Sequence, residues 1–189
     1  EAQDYLASQL NAGYDLYGYL EDDLVIRDAQ FFQKLCWLQE VFTPDFLLLP
    51  QRVEFGWDPH LVDRFYIDGP LEQSELRKLN LEERPFVVLK APGGDVIFET
   101  PKNPHAGCFF LSERQLRHWR DQPYWLDRDC SFISPLESAA TLGISKAFKL
   151  LKPCFSHASW FELQHWGTSF HGLIPVPEAN KPAEVDGVA

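Results

Sequence analysis

Three consecutive carboxylates, Glu21, Asp22 and Asp23, lie between two apolar runs of the sequence. Like charges this close repel one another, so an acidic cluster at the end of a buried strand is unfavourable unless a cation or hydrogen bonds compensate it. Alternation along a strand would place Glu21 and Asp23 on one face. Oxygen ligands grouped in this way suit Mg²⁺ or Mn²⁺, which often complete their shell with substrate phosphates. The alternative is an acidic turn that caps the next helix.

The elements that must position these carboxylates are predicted from hydrophobic periodicity and turn residues. Five are expected in the first half of the chain: a helix ending before Gly13, strands within 14–26, a helix from Asp28 to near Phe42, a buried strand within 46–55, and a β-hairpin turning at 92–94. Pro50 is expected to limit the pairing of the buried strand, because proline lacks the N–H that a sheet requires.

The second half of the chain is expected to hold a strand over 106–111, a helix over 112–120 opened by a capping box, a helix opened by Ser134 and Pro135, and a last strand at 150–153. Strands that alternate with helices predict an α/β fold, with antiparallel pairing in the middle of the chain. Residues 175–189 contain few large apolar side chains and are expected to form a flexible tail.

Composition excludes several classes of protein. The chain has 189 residues, 45% of them hydrophobic, which argues against a disordered protein. A formal charge of -11 argues against broad binding to nucleic acid, and no apolar run is long enough to span a bilayer. The four cysteines show no metal or disulfide spacing, so we expect them to be small buried hydrophobes. The sequence contains no methionine, so we expect that it lacks its own start.

The segment YGYLEDDLVI, followed by an aromatic amphipathic helix, resembles the DXD-type metal site of nucleotide-sugar glycosyltransferases of the GT-A fold. In that family a strand ends in acids that hold Mn²⁺ or Mg²⁺, and the ion binds the diphosphate of the sugar donor. The motif here reads EDD. The resemblance implies a GT-A-like mixed sheet flanked by helices over residues 1–174. It also implies Asp23 and Glu21 as metal ligands, with Asp22 helping to hold the donor.

The same resemblance implies roles for two later segments. In NPHAGCFFL, His105 is expected to donate a hydrogen bond to a sugar hydroxyl or phosphate, and Gly107 to let the backbone approach the ligand. The alternative is a turn and a core strand. Further on, Glu137 is the implied base that deprotonates the acceptor hydroxyl, with Asp129 in reserve. Family members often carry two acids at this place, whereas this chain has one, and Glu137 in the alternative only stabilises the first helical turn.

Histidines near the end of the chain are the third feature that the resemblance addresses. Many GT-A enzymes have a histidine in a C-terminal loop that completes the metal shell. His157 matches that position best and is the implied third ligand, with His165 second and His171 in the same aromatic segment.

The expected function is therefore metal-dependent transfer of a sugar from a nucleotide-sugar donor to a hydroxyl of a glycan or other acceptor. A non-catalytic carbohydrate-binding module or an inactive transferase fragment stays open. A glycoside hydrolase needs a carboxylate on each side of the bond, which three adjacent acids do not supply, and no GxSxG or P-loop motif occurs.

Only twenty residues precede Glu21. By resemblance we expect an upstream nucleotide-binding part to be missing, so that the chain is the metal and acceptor half of a larger enzyme. A signal or anchor in such a part would decide between a cytoplasmic and a membrane-associated location.

Overall fold

The computed structural model describes residues 2–56, 64–79, 81, 86–91 and 93–170. Its strands, in chain order, are β1 (Tyr17–Leu20), β2 (Leu24–Val25), β3 (Phe46–Leu48), β4 (Gln51–Phe55), β5 (Arg64–Tyr66), β6 (Val87–Ala91), β7 (Gly94–Glu99), β8 (Cys108–Leu111), β9 (Lys149–Pro153) and β10 (Glu162–His165). The predicted tail at 175–189 and His171 lie outside the described residues.

The first helix precedes β1, and the others lie between strands along the chain. They are α1 (Ala2–Ser8), α2 (Phe31–Val41), α3 (Gln73–Leu76), α4 (Glu113–Arg120), α5 (Pro135–Glu137), a π-helix (Ser138–Leu142), α6 (Gly143–Ala147) and a 3₁₀-helix (Phe155–Trp160). The prediction of an α/β chain with mixed sheets and helices is confirmed. No helix within the described part of the chain is long and apolar enough to cross a membrane.

Three sheets organise the described residues. β1 and β8 form an antiparallel pair, and the two larger sheets have the strand orders β2-β10-β4-β5 and β3-β9-β7-β6. Both larger sheets are mixed, because β4 runs parallel to β10 and β3 runs parallel to β9, whereas their other pairs are antiparallel. A shared hydrophobic core joins all three sheets and the helix α2, with Phe31, Phe98, Phe109, Trp119 and Phe161 among its largest buried side chains.

Two local predictions are confirmed in detail. β6 and β7 form the predicted hairpin, with Val87 opposite Phe98, although Pro92 of its turn is outside the described residues. The predicted capping box opens α4: the Ser112 hydroxyl accepts the backbone N–H of Gln115, and the Gln115 side chain accepts the backbone N–H of Ser112.

Two other predictions were wrong. The apolar run at 46–55 is two strands in different sheets, because the chain passes from β3 to β4 at Leu49 and Pro50, and proline cannot continue a ladder. β9 is not the last strand, since β10 follows it and pairs between β2 and β4. The helix predicted to open at Ser134 and Pro135 is present as three consecutive segments, of which the middle one is the π-helix.

A buried ion network connects the sheets. Asp68, which follows β5, accepts hydrogen bonds from Arg52 of β4 at 2.9 Å and from Lys152 of β9 at 2.7 Å. Lys152 also donates to the backbone carbonyl of His105 at 2.6 Å, in the segment that leads into β8. Burial alone would raise the pKa of Asp68, but the charges of Lys152 and Arg52 lower it to about 2.

Replacing Asp68 with Asn should lower the free energy of unfolding at neutral pH by about 3–5 kcal/mol, because two buried cations lose their countercharge. The native pKa of Asp68 is depressed, so the stability that this carboxylate contributes is present above about pH 4 and is lost as the pH falls towards about 2. Urea unfolding at neutral pH and at about pH 3 tests both statements, since the gap between wild type and variant should narrow in acid.

Asp95→Asn is the matched control, because it breaks an exposed ion pair with Lys90 and should cost about 0–1 kcal/mol. Equal effects of the two substitutions at neutral pH would contradict a structural role for the buried network.

Candidate functional site

The acidic segment forms a turn between β1 and β2. The Glu21 N–H donates to the Gly107 carbonyl at 2.9 Å, which extends the β1–β8 pairing by one bond, and the Leu24 N–H donates to the Glu21 carbonyl at 3.2 Å across Asp22 and Asp23. The Trp166 N–H donates to the Asp23 carbonyl at 2.7 Å. The acidic turn is thereby attached to the end of β10, far along the chain.

A line of three side chains runs from this turn into the protein. Asp23 Oδ2 lies 3.2 Å from His165 Nε2, and His165 Nδ1 lies 2.9 Å from Glu54 Oε1. The other Glu54 oxygen accepts the backbone N–H of Phe170 at 3.2 Å. The Asp23 side chain is 47% exposed, whereas that of Glu54 is 0% exposed. The histidine thus connects a carboxylate open to solvent with one that is fully buried.

Glu21 has the least satisfied carboxylate of the turn. Its Oε1 is buried and has no hydrogen-bond partner, and its Oε2 lies 4.0 Å from His105 Nε2. Burial raises the pKa of Glu21 to about 7 against the opposing effect of Arg52, and repulsion from neighbouring carboxylates, Asp23 first, adds to the rise. A cation beside this oxygen would replace the missing hydrogen bond and favour the ionised carboxylate.

His105 is buried rather than open to a ligand. Its Nδ1 lies 3.0 Å from the Thr141 hydroxyl, and only 5% of the residue is exposed. Burial lowers the pKa of His105 to about 3, and the charge of Arg52 acts in the same direction. His105 is therefore neutral at physiological pH and fixes the loop that precedes β8, next to Glu21.

Gly107 lies directly beneath the Glu21 side chain. Its φ of +62° is in the left-handed region, and a Cβ at this position would lie 2.5 Å from Glu21 Oε2 and 2.9 Å from Leu24 Cδ1. The close approach expected at Gly107 is thus made to the carboxylate of Glu21.

The two candidate bases have different surroundings. Glu137, at the end of α5, is hydrogen-bonded by the Ser134 hydroxyl and is close enough to Glu21 for its charge to raise the pKa of that residue. Asp129 accepts the Ser131 N–H at 3.0 Å and pairs with Lys146 at 3.1 Å, and these bonds lower its pKa. The structure brings Glu137, rather than Asp129, towards the acidic turn.

The two candidate histidines lie in different parts of the structure. His157, on the 3₁₀-helix, has its Nδ1 3.2 Å from Cys154 Sγ and 3.1 Å from Ser156 Oγ. His165 is the histidine that contacts Asp23. The structure therefore brings together Glu21, Asp23 and His165, with His105 and Gly107 behind them, and leaves His157 in another cluster.

Four buried charged residues around the site were not identified from the sequence: Arg52, Glu54, Asp68 and Lys152. Arg52 and Glu54 occur within the apolar run at 46–55, and charged residues inside such a run are a signal that could have been used, because buried charges require partners. Their partners come from distant segments.

Among the residues that the structure describes, no three His, Cys, Asp or Glu side chains are grouped so that they could hold a metal between them. Comparisons of the chain with protein-family models, with curated proteins and with solved structures find no match. The acidic turn and its neighbours therefore carry the chemistry from which a function can be proposed.

Gly107→Ala should lower the free energy of unfolding by more than the backbone strain alone, because the added methyl group must displace Glu21. Gly13→Ala is the matched control: Gly13 also has a positive φ, +81°, but nothing lies within 4 Å of the added Cβ. Strain at such a position costs on the order of 1–3 kcal/mol. We expect Gly107→Ala to exceed the control by about 1 kcal/mol or more in urea unfolding, and equal losses would contradict the contact with Glu21.

Proposed function

We propose that this chain acts in metal-dependent glycosyl transfer, moving a sugar from a nucleotide-sugar donor to an acceptor hydroxyl, with a divalent cation held by Asp23 and His165. The observation that carries the proposal is the 3.2 Å contact between Asp23 Oδ2 and His165 Nε2 at the end of an acidic turn. A fold of GT-A type is part of the same proposal. It is supported by the α/β architecture and by acids that directly follow a strand.

The carboxylate of Asp23 suits Mn²⁺ or Mg²⁺, and the imidazole of His165 favours Mn²⁺, the transition metal of the two. Two ligands that each lie about 2.1 Å from a hard divalent ion, at a right angle, are roughly 3 Å apart, which is close to the contact between Asp23 and His165. Two protein ligands are few for a structural site. They are sufficient for an ion that takes its remaining ligands from water and substrate phosphates. Asp22 adds negative charge to the acidic turn, and a cation there would favour the ionised form of Glu21, whose pKa is otherwise raised to about 7.

When bound, the cation would neutralise charge that develops on the leaving diphosphate. The residues of this chain would then orient the donor and accept a proton. Glu137 is the proposed base, because its charge reaches the acidic turn and it is not held by a salt bridge as Asp129 is. An acceptor hydroxyl that gives its proton to this base and attacks the anomeric carbon on the face opposite the leaving diphosphate would displace that diphosphate and give an inverted product.

A cavity beside Glu137 supports an acceptor site. It has a volume of about 340 Å³ and is lined by Pro135 and Ser138, from the helical segment that carries Glu137, by Tyr19 and Tyr124, and by Asp129, the other candidate base. Flat aromatic faces are suited to packing against sugar rings. The π-helix (Ser138–Leu142) forms part of its wall, and such helices are frequent at functional sites.

Asp23→Asn removes a direct ligand of the proposed cation. Loss of a residue that only supports a metal ligand lowers metal affinity by roughly 10–100-fold, so we expect Asp23→Asn to weaken Mn²⁺ binding by at least that factor. Isothermal titration with Mn²⁺, alone and with nucleoside diphosphates, measures this change. Asp22→Asn is the matched control, since it removes the same charge from the adjacent position in the turn, and its effect should be under about threefold. Equal affinities of wild type and Asp23→Asn would reject the cation site. Glycan binding that needs neither Mn²⁺ nor a nucleotide would indicate a carbohydrate-binding module instead.

Glu137→Gln should leave Mn²⁺ and nucleotide affinity within about twofold of wild type and lower the rate of sugar transfer by about 10²–10⁴-fold, because the proton acceptor is lost while the cation site is intact. Asp129→Asn should keep most of the activity. Product formation from a panel of nucleotide sugars measures both variants. A fully active Glu137→Gln variant would remove Glu137 from the role of base.

A further inference from the structure

We infer that a second cavity, on the face of the sheet β2-β10-β4-β5 opposite His165, is a binding site for a small phosphate monoester, whose phosphate is held by the guanidiniums of Arg27 and Arg64. The cavity has a volume of about 310 Å³. This inference goes beyond the proposed function and does not rest on it, because the sheet separates the cavity from the side chain of His165.

Strand register places the walls of the cavity on one face of the sheet. Gln164 of β10 lies opposite Val53 of β4, and Phe55 of β4 lies opposite Arg64 of β5. Side chains alternate along a strand, so these four residues project from one face, whereas His165 projects from the other. All four line the cavity.

Two arginines meet at one aromatic ring in this cavity. The Arg27 Cζ lies 5.2 Å from the centroid of the Phe55 ring, and the Arg64 Cζ lies 5.9 Å from the same centroid. An aromatic face holds a guanidinium without neutralising its charge. Two guanidiniums beside one ring repel each other, and an anion bound to both would offset that repulsion.

The carboxylates of the cavity do not compensate all of its cations. Among the described residues, three basic and two acidic side chains line it. Lys34 pairs with Asp28 at 2.6 Å, and Arg64 lies 3.5 Å from Glu162. Arg27 forms no ion pair with any residue that the structure describes, and its Nε donates to a neutral side-chain amide instead. In a chain with a formal charge of -11, this local excess of positive charge favours an anionic ligand.

That amide belongs to Gln164, which supplies a further donor. The residue is 7% exposed and its side chain lines the cavity. Its Oε1 accepts the hydrogen bond from Arg27, and its Nε2 has no acceptor within the described part of the chain. A largely buried amide nitrogen without an acceptor calls for one. An oxygen of an anion bound to Arg27 would supply it.

The number of donors favours phosphate over carboxylate. One guanidinium fork satisfies both oxygens of a carboxylate, whereas the three terminal oxygens of a phosphate monoester can accept from two arginines and an amide together. A phosphate group fills only part of the roughly 310 Å³, which is at the lower end of the volumes of small-molecule sites. The remaining space would take the organic part of a small ester.

The first test uses the wild-type full chain without Mn²⁺. ¹H–¹⁵N spectra are recorded during titration with inorganic phosphate and, separately, with glycerol 3-phosphate. The Nε signals of Arg27 and Arg64 and the side-chain amide signals of Gln164 should move, whereas the Nε signal of Arg120, which pairs with Asp121 on the surface, should not. Unmoved signals at the cavity with millimolar concentrations of both probes would overturn the inference.

The second test uses Arg27→Gln, which removes the uncompensated charge. We expect the affinity for both probes, measured by isothermal titration, to fall by about tenfold or more, the usual effect of losing a hydrogen bond to a charged group. Arg120→Gln is the matched control, since it changes the net charge equally, and its effect should be under about twofold. Gln164→Glu is a second variant: it keeps the shape of the side chain but neutralises Arg27, and we expect a similar loss. Circular dichroism shows whether each variant folds.

Each alternative has its own outcome. Equal phosphate affinity of wild type and the folded Arg27→Gln or Gln164→Glu variant would overturn the site. Phosphate binding that requires Mn²⁺ would place the anion at the acidic turn and would also overturn it. Acetate that binds as tightly as phosphate would reject phosphate as the ligand, and weaker binding of glycerol 3-phosphate than of inorganic phosphate would reject the ester. Loss of phosphate binding in Arg27→Gln without a change in Mn²⁺ affinity would support the site separately from the cation proposal.

Discussion

The ion network of Asp68, Arg52 and Lys152 is the interaction on which the rest of the described structure depends. It lies where the sheets meet, since Arg52 is on β4, Lys152 is on β9, and Lys152 also bonds the carbonyl of His105 ahead of β8. Two buried cations share one carboxylate, which leaves an excess of positive charge within this network. Arg52 opposes the rise in the pKa of Glu21, so part of that excess acts on the acidic turn.

The positive charge of the network nevertheless does not fully compensate the carboxylate of Glu21 in the acidic turn. Glu21 keeps a buried oxygen without a partner, and its raised pKa shows that the protein interior does not stabilise its ionised form. A sequence selected only for stability would remove this carboxylate or pair it. Buried polar groups that are left unsatisfied are rare and call for an explanation. The cation proposed at Asp23 and His165 would supply one.

Local features of the fold could be predicted from the sequence, whereas features that depend on long-range pairing could not. The hairpin of β6 and β7 and the capping box of Ser112 and Gln115 are encoded within a few residues, and both were predicted. The division of the run at 46–55 into β3 and β4 depends on which distant strands each half meets. Hydrophobic pattern alone does not contain that information.

The same distinction applies to the candidate site. The acidic turn stands out in the sequence because like charges are adjacent, but the choice of histidine required the position of β10. His157 follows β9 and was favoured by its place along the chain, whereas His165 reaches Asp23 because β10 lies between β2 and β4. The contact between Glu54 and His165 joins residues that are far apart in the sequence, and no sequence motif indicates it.

The parallel pairing of β4 with β10 therefore determines the geometry of the candidate site more than any single residue does. In the observed register His165 and Glu54 project together, and the following residue, Trp166, bonds the Asp23 backbone. A slip of one residue would turn His165 to the opposite face of the sheet, because side chains alternate along a strand. The core side chain Leu163 (0% exposed) and the polar Gln164 would exchange faces at the same time, so the burial of Leu163 opposes the slip. Hydrophobic packing of β10 thus contributes, together with the buried ion network, to the geometry at the acidic turn.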